Sequence, residues 1–209
     1  MGDTRSALLI VDVQRDFCPG GALAAREGDR VVPPLNRYIE EAAARGWPVY
    51  ASRDWHPQVT RHFQQYGGEW PVHCVEGTEG AAFHPDLRLP PSTIVVSKGQ
   101  SGDKPGYSAF EGYTADGRTL ADDLRARGID HLYVGGIATD YCVKHSVLDA
   151  RRAGLGVTVL TDAVAGVELA PGDSARALEE MRAAGARVRE GPERESGGRT
   201  PARGAAGWP

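Results

Sequence analysis

The chain has 209 residues, a formal charge of −4 and 41% hydrophobic residues, enough for one domain to bury a core without disulfide or metal staples. Its arginines are scattered among acids, which leaves no basic footprint for nucleic acid or an anionic membrane, and no apolar run approaches the ~20 residues that span a bilayer. Three cysteines, an odd count, argue for a reducing compartment, and Met-Gly-Asp-Thr-Arg-Ser lacks a signal-peptide core, so a cytoplasmic location is expected.

Residues 7–13 are an apolar run interrupted only by Asp12, the pattern of a strand covered on both faces. Residues 29–45 carry Val32, Leu35, Ile39 and Ala42 at helical spacing, with Pro33 and Pro34 early and Gly46 closing the pattern. Residues 48–52 and 93–97 read as further strands. Between them, residues 54–92 lack periodicity and are dense in Pro, Gly, His and Trp. An insertion of that length inside a compact domain is usually functional.

A helix is expected around 118–127, a strand over 131–136, and a helix whose N-cap is Thr139. A strand over 156–161, a helix over 174–184 and an edge strand over 186–189 complete the order. Strands alternating with helices predict a single α/β domain of three layers, α/β/α, with a mostly parallel sheet, over residues 1–190. Residues 191–209, mostly Gly, Arg, Pro, Ala, Ser and Glu, are expected to be a disordered tail.

In such sheets ligands bind beyond the carboxyl ends of the strands, and Asp12, Asp54, Lys98 and Cys142 each fall at or just past one. Cys142 lies in Gly-Gly-Ile-Ala-Thr-Asp-Tyr-Cys-Val, residues 135–143. At a helix start, unpaired N–H groups and the helix dipole favour thiolate, and neighbouring amides can hold an oxyanion. A cysteine there also reads as a small packing residue. Asp12 either pairs with a cation or accepts a thiol proton, and Lys98 is either a solvated strand tip or the cation beside that pair.

Asp54, His56, His62 and His73 offer one carboxylate and three imidazoles, a set suited to zinc, iron(II) or manganese(II). His84 and His131 read as structural or solvent-exposed, and His145, three residues after Cys142 on the same expected helix, offers a Cys–His dyad as a weaker alternative. Cys18 and Cys74 read as packing residues.

Together these residues resemble the nicotinamidase/pyrazinamidase branch of the isochorismatase-like cysteine hydrolases, from about residue 6 to residue 188. The motifs are Asp-Val-Gln-Arg-Asp-Phe-Cys-Pro-Gly-Gly-Ala-Leu at 12–23, Arg-Asp-Trp-His-Pro at 53–57 and Gly-Gly-Glu-Trp-Pro-Val-His-Cys-Val at 67–75. Lys-Gly at 98–99, Tyr-Ser-Ala-Phe-Glu-Gly at 107–112 and Gly-Ile-Ala-Thr-Asp-Tyr-Cys-Val at 136–143 follow in family order. The resemblance implies a triad of Cys142, Asp12 and Lys98, a cis peptide between Ile137 and Ala138, and an oxyanion hole from the Ala138 and Cys142 amides.

It further implies one divalent metal, zinc, iron(II) or manganese(II), on Asp54, His56 and His73. His62 matches a further histidine ligand of bacterial members that others replace. Phe17, Trp70, Tyr107, Ile137 and Tyr141 match pocket residues; at 141 some members carry histidine and others tyrosine. The implied reaction is deamidation of nicotinamide, or pyrazinamide, through a cysteine thioester, in NAD salvage. A sister amidase acting on another carboxamide or a carbamoyl or ureido compound is the alternative. The implied partner is a small carboxamide, without nucleic acid or membrane, and a homo-oligomer is left open.

Overall fold

A computed structural model describes residues 5–102 and 106–189. The expectation of a disordered tail over 191–209 lies outside the described residues. Among the described residues, seven strands form one sheet in the order β4-β3-β2-β1-β5-β6-β7, parallel except for β4. They are β1 Ser6–Val11, β2 Val49–Asp54, β3 Ile94–Lys98, β4 Tyr113–Thr114, β5 His131–Ile137, β6 Gly156–Ala165 and β7 Arg187–Arg189.

The helices are α1 Val32–Ala44, α2 Leu120–Ala126, α3 Lys144–Arg152 and α4 Asp173–Ala183. Alternation along β1 splits the core into two layers, as a two-residue side-chain period requires. Leu8 and Ile10 pack with Leu35, Tyr38 and Ile39 of α1 on one face. Ala7, Leu9 and Val11 pack on the other with Leu120 and Leu124 of α2, Val147 of α3 and Met181 of α4. The expected three layers are therefore present, with one helix on one side and three on the other among the described residues.

Two strands differ from the sequence reading. The strand expected over 156–161 runs on to Ala165, past the polar residue Asp162. Tyr38 donates a 2.8 Å hydrogen bond to the Asp162 carboxylate and Arg37 lies 3.5 Å from it, so the acid has partners on α1 across the layer boundary. β4, two residues long and antiparallel to β3, is too short to leave a periodic signal.

The strand order reverses between β1 and β5, whose register pairs Val11 with Gly136. Open parallel sheets place their ligand crevice at such a switch point. Gly136 has φ +126°, a conformation that side-chain-bearing residues rarely adopt. Among the described residues no helix is long and apolar enough to cross a membrane.

Away from this crevice, the Asp123 carboxylate of α2 accepts 2.7 Å bonds from the Tyr50 hydroxyl and Arg127 Nε. Burial works to raise its carboxyl, but Arg127 and Tyr50 outweigh it and hold it below the usual value. A folded-state pKa that is depressed adds stability above the unfolded value, and that stability is lost as pH falls. Asp123→Asn should therefore cost ~1–3 kcal/mol at neutral pH. In urea titrations the gap from the parent should begin to close only as pH drops below about 4, the ordinary aspartate value, and go on closing as pH falls through the lower folded-state value.

Candidate active site

The register of β2 and β3 sets Asp54 directly beside Lys98, each the last residue of its strand. Asp12 follows β1 at once, with φ +49°. Its carboxylate is fully buried, accepts a 2.7 Å bond from Ser52 Oγ and lies 2.8 Å from Lys98 Nζ. Lys98, 1% exposed, also donates to Asp54 Oδ1 at 2.5 Å, to the Gly106 carbonyl at 3.1 Å and to Cys142 Sγ at 3.5 Å. One ammonium thus links both carboxylates to the sulfur.

Thr139 is not a cap. Residues Thr139–Val143 form a π-helical turn whose N-cap position is Ala138, and α3 starts only at Lys144. The Ala138 carbonyl accepts from both Tyr141 N–H and Val143 N–H, which opens the turn around Cys142. The peptide between Ile137 and Ala138 is cis, as the resemblance implied.

The electrostatics revise the expectation of a resting thiolate. Burial pushes the Cys142 thiol well above its ordinary value; Lys98 opposes this, while Asp12 and Asp54 add to it. Burial likewise raises the Asp12 carboxyl, against the pull of Lys98 and with help from Asp54. Burial would lower Lys98, but Asp12, Asp54 and Cys142 hold it well above the usual lysine range. Burial thus favours the thiol form of the sulfur, which lies between Asp12, placed to take its proton, and a fixed cation.

Asp54 faces two ways. Its Oδ1 meets Lys98, and its Oδ2 lies 3.6 Å from His56 Nε2 and 4.0 Å from His73 Nε2. The ligand atoms of His56, His62 and His73 all lie within 4.8 Å of one another. His56 Nδ1–H donates to the Gly99 carbonyl at 2.9 Å and His73 Nδ1–H to the Pro71 carbonyl at 2.7 Å. Those bonds fix the tautomers and leave each Nε2 with a free lone pair.

His56 Nε2 is buried with no hydrogen-bond partner, an arrangement that costs free energy unless something accepts the lone pair. Burial, reinforced by His56 and His73, lowers His62 to about 3, and burial also lowers His73. Both rings are therefore neutral donors at neutral pH. The residues fit one divalent metal ion of the zinc, iron(II) or manganese(II) type.

Comparison with known proteins agrees with this chemistry. The isochorismatase domain family matches residues 6–193. The nicotinamidase of Escherichia coli K12 is 46% identical over 196 residues, covering 86% of this chain and 92% of that protein. The nicotinamidase/pyrazinamidase of Mycobacterium tuberculosis is 44% identical over 181 residues, covering 85% and 95%. The chain belongs to the nicotinamidase/pyrazinamidase branch of the isochorismatase-like family.

Among solved isochorismatase-like structures, the pyrazinamidase of Pyrococcus horikoshii in complex with zinc superposes with a TM-score of 0.82 at 44% identity. It covers 89% of this chain and 99% of its own.

In this member of the family, a cavity of about 410 Å³, counted with its mouth, opens over Cys142. Asp54, His62 and His73 line it on the metal side, with Phe17, Trp70, Tyr107, Ile137, Ala138 and Tyr141 around it. Each of these was singled out in the sequence. His56, fully buried, stands behind the lining. Trp70 Nε1 donates to the Tyr107 hydroxyl at 2.8 Å, and Trp70 packs edge-on against Tyr141 with ring centroids 5.0 Å apart. His145 stacks on Tyr107, so it backs the aromatic wall. Cys18 and Cys74 are buried free thiols.

Three polar residues escaped the sequence reading. Ser52 orients Asp12. Gln14 clamps the Asp54 backbone, accepting from its N–H at 2.7 Å and donating to its carbonyl at 2.8 Å. Asp140 holds the chain after β6, accepting from Val167 N–H and Glu168 N–H. For Gln14, its place two residues after Asp12 was the only available signal.

Proposed function

We propose that this chain is a nicotinamidase, hydrolysing nicotinamide, and pyrazinamide as an analogue, to the carboxylate and ammonia. The observation that carries the reading is Asp54, one carboxylate shared between the Lys98–Asp12–Cys142 group and the histidine cluster. That sharing fixes a ring-holding site beside the nucleophile.

Asp12 takes the Cys142 proton as sulfur attacks the carboxamide carbon. The Ala138 and Cys142 amides receive the oxyanion. Asp12 returns the proton to nitrogen, the C–N bond breaks and ammonia leaves a thioester. Asp12 then deprotonates a water that attacks the thioester carbon. Collapse expels the sulfur, which recovers the proton from Asp12, and the product leaves as the carboxylic acid, which gives its proton to solvent and becomes the carboxylate. Lys98 keeps the charge around Asp12 and Cys142 balanced throughout. Asp54, His56 and His73, with His62, would hold the metal, whose chemistry there is a Lewis-acidic anchor for a lone pair on the ring.

A carboxamide panel assayed for ammonia, with and without chelator, tests the reading. Nicotinamide and pyrazinamide should be turned over and chelation should suppress the rate. Preferential release of ammonia from a ureido or carbamoyl compound would point to the sister amidases instead. His73→Ala should lose metal on elemental analysis together with activity; unchanged metal content would remove His73 from the ligand set.

A further inference from the structure

The mechanism gives no role to Asp140, a buried carboxylate two residues before the nucleophile. Its two oxygens accept backbone N–H bonds of 2.9 Å from Val167 and 2.8 Å from Glu168. Those residues lie just past the end of β6, where Ala165 pairs with Ile137. Val167 is also one of the cavity's lining side chains, and with Leu23 and Ala25 it makes an aliphatic part of the wall.

The segment has little freedom. A Cβ on Gly166 would sit 2.0 Å from Ser174 Oγ and 3.2 Å from Asp140 Oδ1, so the chain is pressed between α4 and the carboxylate. Glu168, at φ +56°, pins the next turn through bonds from Gly172 N–H and Ser174 N–H to its own carboxylate. Bidentate charged hydrogen bonds are among the stronger and more directional ones. The turn that carries Cys142 therefore holds, through Asp140, a piece of the wall that faces the substrate.

We infer that Val167 sets the size of aromatic ring the cavity admits and that Asp140 is the positioning residue that keeps it in place. The inference rests on the reading of this cavity as the ring pocket. Val167→Ala removes two methyl carbons from the wall, and a pocket discriminates about 10–200-fold per methylene. Bulky rings should gain by up to that range while pyridine gains nothing. Asp140→Asn keeps the size of the side chain but loses one of two acceptors, so the wall should loosen in the same direction.

The test measures dissociation constants by calorimetry for pyridine-3-carboxylate and for a series of methyl-substituted and bicyclic heteroaromatic acids. Parent protein, Val167→Ala, Asp140→Asn and the double variant are compared. Because the acids are not turned over, the affinity ratio is readable whether or not nicotinamide is hydrolysed. Ammonia release by the parent from nicotinamide judges the function separately. The expected result is a gain of about tenfold or more for at least one bulky acid relative to pyridine-3-carboxylate in each single variant. The double variant should show little further gain, since the two act through one wall. A ratio unchanged in Val167→Ala would overturn the role of Val167. A ratio unchanged in Asp140→Asn, or additive gains in the double variant, would reduce Asp140 to a structural residue, because lost fold stability alone scales all ligands alike.

Discussion

Cys142→Ala should be a folded protein that releases no ammonia from nicotinamide. Loss of a covalent nucleophile costs on the order of 10⁵–10⁶ in kcat, whereas removing one small thiol from a site already open to the cavity costs little packing. Binding should survive, because the histidine cluster and the aromatic wall do not touch the sulfur's reaction. Calorimetric titration with nicotinate separates the two effects. Retained product affinity with no turnover is the expected pair of results, and turnover near the parent rate would remove Cys142 from the chemistry. The companion change Asp12→Asn should lose about 10²–10⁴ in rate, for a reason specific to this site. The buried thiol is held well above its ordinary pKa, so without a carboxylate to take its proton little thiolate forms at neutral pH.

Lys98→Met should be the most destabilising single change near the site. The ammonium is the cation within hydrogen-bond reach of both the Asp12 and the Asp54 carboxylates. Removing one partner of a buried ion pair leaves the other charge uncompensated, at a cost of about 3–5 kcal/mol. The sign with pH follows from Asp54. Burial alone would raise its carboxyl, yet the Lys98 ammonium beside it holds it below the usual range. That depressed pKa contributes stability above the unfolded aspartate value, which is lost as pH falls. Without Lys98 both carboxyls should rise and take up protons, so the penalty should be largest at neutral pH and shrink towards about pH 5. Urea unfolding at several pH values checks this, and a penalty independent of pH, or below about 1 kcal/mol, would contradict the charge bridge.

The residues legible in the sequence share one property: they are chemically unusual for their position. An acid inside the apolar run at Asp12, a lysine ending β3 and clustered histidines in a loop are costly unless paired, so their types alone announced a site. Ser52, Gln14 and Asp140 gave no such signal. Each is an ordinary polar residue whose role arises only from register or from a distant partner: Ser52 beside Val11 in β1, Gln14 across from Asp54, Asp140 across from Val167. The same reasoning separates the strands. β1, β2, β3 and β5 were readable from apolar runs, whereas the second half of β6 is stabilised by Tyr38 and Arg37 from α1, which no local pattern contains. The π-helical turn at Cys142 was misread as a capped helix start because a threonine before a helix is the usual cap, and the two bonds on the Ala138 carbonyl leave no trace in residue type.

The bare backbone at Gly136 bears on the reaction through the spacing of two strands. A Cβ there would lie 2.0 Å from the Val11 carbonyl oxygen and 2.6 Å from the Val11 nitrogen. Val11 immediately precedes the base, and the chain after Gly136 leads through Ala138 to the nucleophile. The gap across which the proton passes is therefore gauged by two main chains in contact, with no side chain between them. A single added methyl group would work as a wedge, forcing the acid-bearing and sulfur-bearing halves of the molecule apart while leaving every reacting group intact.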